Sequence, residues 1–66
     1  MKTNAQDQLI SIRIVASRLD LSIRGVYRLI AKDEFPRPVK VGGATRFYES
    51  DLDGYLNRLR ELRNSK

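Results

Sequence analysis

The chain has 66 residues, with thirteen Lys and Arg against eight Asp and Glu, a net charge of +5, and neither Cys nor His. One small domain is all this length allows. The missing Cys and His exclude disulfides, the usual zinc sites, a thiol nucleophile and the commonest neutral-pH acid–base group. The domain is therefore expected to fold by packing alone, without a cofactor, in keeping with a reducing cytoplasm. No apolar run approaches the roughly 20 residues that cross a bilayer, so no membrane partner is expected.

In chain order, Met1–Gln8 is polar, lacks the apolar stretch of a secretion signal and is expected to be a disordered arm over residues 1–8. The folded domain is expected over 9–63, with Asn64-Ser65-Lys66 as a frayed tail. Three segments within it repeat the i, i+3, i+4, i+7 apolar pattern of an amphipathic helix. They are Ile12, Val15, Ala16, Leu19; then Ile23, Val26, Tyr27, Ile30; then Leu52, Tyr55, Leu56, Leu59, extended by Leu62. Ser11 and Ser22 precede the first two as N-caps. Ser50 precedes the third, with Asp53 three residues on, as in a capping box.

Between the second and third helices, Phe35-Pro36-Arg37-Pro38 cannot continue a helix, because proline lacks the N–H and restricts its predecessor. Val39-Lys40-Val41 alternates, Gly42-Gly43 marks a turn, and Arg46-Phe47-Tyr48 returns. The reading is a β-hairpin with a loop of about four residues, held to the helices through Val39, Val41 or Phe47.

The first two helices are joined by little more than Asp20-Leu21, a connection short enough to force a steep crossing, as in a helix-turn-helix. Ala16 is small where the helices meet, Leu21 is expected to plug the turn, and Asp20 stands where a left-handed residue is needed. The fold class is then mainly α with a small β-hairpin: a winged helix-turn-helix followed by a C-terminal helix.

Charge is concentrated on its middle part. From Ser22 to Arg46, six cations (Arg24, Arg28, Lys32, Arg37, Lys40, Arg46) are opposed only by Asp33 and Glu34. Such an excess draws polyanions. Arg24 and Arg28, four apart, share a side of the second helix and suit guanine edges in the major groove. Ser22 and Lys32 lie at the two ends of that helix. Gly25 has two readings, close approach to DNA or relief of crowding between the helices, and Tyr27 is expected to pack its ring in the core with its hydroxyl toward a phosphate. On the hairpin, small Gly43 and Thr45 suit passage along a sugar-phosphate wall, with Lys40 and Arg46 as flanking phosphate or minor-groove contacts.

Several runs together resemble the AlpA family of phage and prophage regulators, close to the excisionases and to MerR-like winged helix-turn-helix proteins. These are Ile14-Val15-Ala16-Ser17-Arg18-Leu19-Asp20-Leu21-Ser22, Val26-Tyr27-Arg28-Leu29-Ile30, Phe35-Pro36-Arg37-Pro38-Val39-Lys40-Val41-Gly42-Gly43, Arg46-Phe47 and Glu49-Ser50-Asp51-Leu52. The resemblance spans about 50 of the 66 residues. It implies DNA binding through the second helix and the wing, with Arg28 and Arg46 at matching positions, in transcription of prophage genes or in excision. Asp20 departs from the glycine usual in that family, and Ala44 and Thr45 are neutral where members often carry another cation.

The expected function is sequence-specific binding of double-stranded DNA, as transcriptional regulator or excision factor. An integrase, recombinase or RNA polymerase would be the protein partner, and a monomer would assemble on DNA. The alternative is a small interaction module that docks a recombinase or polymerase subunit. An enzyme is not expected: no carboxylate pair, metal cluster or activated nucleophile is suggested, and Gly42-Gly43 lacks the spacing of a phosphate-binding loop.

Overall fold

The helices α1 (Ile12–Leu19) and α2 (Ile23–Ala31) each open on a serine, and a left-handed aspartate ends each, at the C-cap of α1 (Asp20) and just past the Lys32 C-cap of α2 (Asp33). The Ser11 hydroxyl accepts the Ile14 N–H at 3.3 Å, and the Ser22 hydroxyl accepts the Gly25 N–H at 3.0 Å. Both helices stop in the same paired-bond turn. With Asp20 left-handed at φ 58°, the Leu21 N–H reaches the Ala16 carbonyl at 2.9 Å and the Asp20 N–H that of Ser17 at 3.1 Å. With Asp33 at φ 59°, Glu34 donates to Leu29 at 2.9 Å and Asp33 to Ile30 at 3.0 Å. These bonds satisfy carbonyls that a helix end leaves open. The left-handed role of Asp20 was legible in the sequence; that of Asp33 was not.

The computed structural model describes residues 7–64. Beyond α2 come the expected strands β2 (Val39–Val41) and β3 (Ala44–Tyr48), then α3 (Glu49–Asn64). The hairpin pairs Val39 with Arg46, Lys40 with Thr45 and Val41 with Ala44. Its loop is therefore Gly42-Gly43 alone, at φ 58° and 89°, two residues rather than about four. Two successive positive φ angles match the right-handed twist of the flanking strands, and glycine supplies both without strain. Ala44 and Thr45, expected in the loop, are strand residues.

A further strand, β1 (Leu9–Ile10), lies on the other side of β3, pairing Leu9 with Tyr48 and Ile10 with Phe47. The sheet order is β1-β3-β2. Two residues are too few for alternation to show in a sequence. Cross-strand partners share a face. One face thus carries Ile10, Phe47, Thr45 and Lys40, the other Leu9, Tyr48, Arg46, Val39, Ala44 and Val41. Ile10 and Phe47 are buried on the helix side, whereas Val41 is exposed, so Phe47 holds the hairpin to the core and Val41 does not.

The core is Ile10, Val15, Ala16, Val26, Phe35, Phe47 and Leu52, with Ile12, Leu19, Leu29, Ile30, Tyr55 and Leu56 packed around it. Phe35 lies edge-on to Phe47 (5.8 Å, 65°) and to Tyr55 (4.8 Å, 70°). Such pairs contribute about 0.5–1.5 kcal/mol each beyond their burial. The sequence shows Phe35 only as part of a helix-breaking run; its ring in fact locks the hairpin to α3. Leu21, expected to plug the turn, is exposed. The α3 stripe holds at Leu52, Tyr55 and Leu56, but Leu59 and Leu62 are exposed, because the helix runs past the end of the core.

The start of α3 differs most from expectation. Ser50 lies inside the helix, and its hydroxyl and N–H both bond to the Asp7 carboxylate, at 2.7 and 3.0 Å. The Glu49 N–H donates to the Gln8 carbonyl at 2.7 Å. The disordered arm expected through Gln8 therefore gives way at Asp7 and Gln8, which are tied down because α3 has open N–H groups there; the rest of that arm, residues 1–6, lies outside the described residues. Asp53 is not a capping-box partner. It meets Arg18 of α1 at 3.3 Å, and Arg18 also meets Glu49 at 3.5 Å, a clasp between α1 and α3.

Candidate nucleic-acid interface

The geometry starts from what α2 leaves outside. Of its nine residues only Val26 is fully buried, with Gly25, Leu29 and Ile30 half-buried. Ile23, Arg24, Tyr27, Arg28 and Ala31 are exposed, as is Lys32 just past the last turn. Winding at 3.6 residues per turn sets these six over one continuous half of the helix. Ile23 and Tyr27 line one side of it, Arg24, Arg28 and Lys32 the other, and Ala31 lies between.

Two residues differ here from the sequence reading. Ile23, assigned to the inner stripe, is 40% exposed, and Tyr27, whose ring was expected in the core, is 48% exposed. The reason is a surplus of apolar residues. Val26 with Leu29 and Ile30 makes up the share of the core that α2 contributes, and Ile23 and Tyr27 fall outside it.

The short α1–α2 turn positions this half-cylinder. Asp20 reverses the chain, Leu21 follows, and Ser22 caps α2 with a hydroxyl already engaged by Gly25. A Cβ placed on Gly25 would meet Ser22 Oγ at 3.4 Å and Leu21 Cβ at 3.6 Å, ordinary contacts with the turn, and its nearest neighbours include no atom of α1. Crowding between the two helices is therefore not what puts glycine here. Ala16 does occupy the tight position in α1, buried among the core residues.

On the hairpin, Gly43 is exposed at the tip and Thr45 organises both cations. Its hydroxyl accepts Lys40 Nζ at 2.9 Å, and its carbonyl accepts Arg46 Nη1 at 2.8 Å. The register sends Lys40 to the helix-side face of the hairpin and Arg46 to the outer one. The two cations were expected as a matched flanking pair; they stand back to back.

The electrostatics are one-sided. No salt bridge among the described residues engages Arg24, Arg28, Lys32, Lys40 or Arg46. Arg37, the remaining cation of the middle segment, bonds Asp33 at 3.1 Å and so offsets one of the two nearby carboxylates. The acidic residues gather elsewhere: Asp33, Glu34 and Asp51 rim a groove floored by Phe35, Pro36 and Tyr55. Arg58 lines the same groove, so its charge is mixed. Among the described residues no group of His, Cys, Asp and Glu could hold a metal ion, and no helix is long and apolar enough to cross a membrane.

The sequence model of a family described as "helix-turn-helix domain" matches residues 9–60. Comparisons with curated proteins and with solved structures brought no match.

Proposed function

The chain belongs to the helix-turn-helix domain family, and from that premise we propose that it binds double-stranded DNA sequence-specifically, with α2 in the major groove and the hairpin as a wing. The observation that carries this reading is the outward half of α2, where Arg24 and Arg28 stand exposed and engaged by no salt bridge among the described residues. The N-terminal part of the second helix is the part of a helix-turn-helix that meets base edges. Arg24 and Arg28 read guanine O6 and N7 there. Ser22 and Lys32 contact phosphates at the ends of α2, Gly25 lets the backbone approach, and Tyr27 meets the groove wall. Gly43, Thr45, Lys40 and Arg46 contact the neighbouring backbone or minor groove.

The resemblance to the AlpA regulators supports a role in prophage transcription or in excision, with RNA polymerase or an integrase as the second partner. The working unit in this proposal is a monomer that assembles on DNA.

The test is selection of bound duplexes from a random-sequence pool, followed by titration of the winner against a scrambled duplex at several salt concentrations. A preferred sequence with steep salt dependence is expected. Arg28→Ala should then weaken the selected duplex by about 1–3 kcal/mol and relax preference at one position. Absence of enrichment overturns DNA reading and favours a protein-docking module. A bending assay on the selected duplex separates an excision factor, which bends it, from a regulator that leaves it straight.

A further inference from the structure

The outward half of α2 is divided lengthwise, and only one side is cationic. The other is Ile23 and Tyr27, four residues apart and therefore neighbours on the helix surface. Both are large, apolar and close to half exposed, at 40% and 48%. A helix that only gripped phosphates would gain nothing from an isoleucine left two-fifths exposed at its first position. Isoleucine is a weaker helix former than alanine or lysine there. The two fifths of its surface that stay exposed add no burial to the fold.

The chemistry of the major groove supplies a use. Thymine alone among the four bases presents a methyl group there, and apolar side chains recognise it by contact. Ile23 is the first residue of α2, where base edges are nearest in a helix-turn-helix. Arg24 beside it addresses guanine. We infer that Ile23, supported by the ring of Tyr27, is a specificity-determining residue that reads a thymine 5-methyl group next to the guanine read by the arginine side of α2. This rests on the DNA-reading surface proposed above and adds a base identity to it. The half-site then combines guanine and thymine at adjacent steps, one for each side of the helix.

Ile23 is outside the buried core, so Ile23→Ala should keep the fold, which a thermal melt checks. The probe is the duplex selected from the random pool, made with thymine and again with deoxyuridine at one thymine at a time. Loss of one buried methyl, at about 0.8 kcal/mol, corresponds to roughly fourfold in affinity. The expected result is a fourfold loss at one position for the natural chain and no loss there for Ile23→Ala, with Tyr27→Ala reducing the difference. Equal binding of thymine and deoxyuridine duplexes at every position would overturn the inference while leaving DNA recognition in place. So would an Ile23→Ala variant that still tells the two apart, or a variant that loses equally on both. If the pool yields no selected duplex at all, the DNA-reading surface itself fails, and the apolar side of α2 becomes a protein-docking face.

Discussion

The carboxylate of Asp7 caps α3 across 43 residues of sequence, accepting the Ser50 hydroxyl at 2.7 Å and the Ser50 N–H at 3.0 Å. A capping residue normally sits at its own helix start; here the chain before β1 supplies it. Asp7 also brings negative charge to the positive end of the helix dipole. Asp7→Ala should therefore cost about 1 kcal/mol, which in a domain of this size lowers the melting temperature by roughly 4–8 °C. Asp7→Asn should recover part of the loss. Thermal melts by circular dichroism would read both, and DNA affinity well below the transition should be unchanged, because the cap is not on the α2 face.

Asp20 is held left-handed at φ 58° where glycine would be without strain. Asp20→Gly should stabilise the domain by about 0.5–1 kcal/mol, from relief of that backbone cost and removal of a negative charge from the C-terminal end of α1. Denaturant titration would show a later midpoint at constant slope. An earlier midpoint would mean that the Asp20 carboxylate contributes more than its backbone loses.

Gly25 separates stability from recognition. A Cβ fits against the Ser22–Leu21 turn, and alanine gains about 0.5–1 kcal/mol over glycine within a helix. Gly25→Ala should raise the melting temperature while lowering affinity for the selected duplex. Higher stability with unaltered affinity would show that the DNA backbone does not come close at this point.

The back-to-back arrangement of Lys40 and Arg46 makes the salt response of the wing diagnostic. A hairpin standing edge-on in the minor groove presents its two faces to the two strands, one cation to each. Each phosphate contact contributes about 0.9 to the slope of log affinity against log salt. Lys40→Ala and Arg46→Ala should then each lower the slope by about 0.9, and the double variant by about 1.8. If only one single variant alters it, the hairpin lies flat on one strand.

The helix-turn-helix, the hairpin and the third helix were legible because each rests on local signals: a serine cap, an apolar stripe, a proline pair, a Gly-Gly turn. The sequence fails where a choice depends on what lies across the fold. Ile23, Val26, Tyr27 and Ile30 fit the helical template as well as Val26, Leu29 and Ile30 do, and only how the core closes across the fold decides which are left outside. The pairing of β1 with β3 and the bond from Asp7 to Ser50 join residues too distant in sequence to leave a spacing signature. On the candidate interface, Arg24 and Arg28 lie on the exposed side as read, Tyr27 lies there against the expectation for its ring, and Ile23 was assigned to the wrong side.

No residue separates β3 from α3: Tyr48 ends one and Glu49 begins the other. Hinges need a few backbone positions that can absorb a change of φ and ψ, and this junction has none. It is further held by the Gln8–Glu49 bond and by β1 on its flank. The hairpin and α3 are therefore joined as one stiff arm, and if the hairpin meets DNA as proposed, misfit at the far end of the duplex has to be taken up by the duplex. Discrimination by flexibility follows: flanks with soft pyrimidine–purine steps should bind better than stiff ones of equal charge, even at positions whose base edges no side chain reaches.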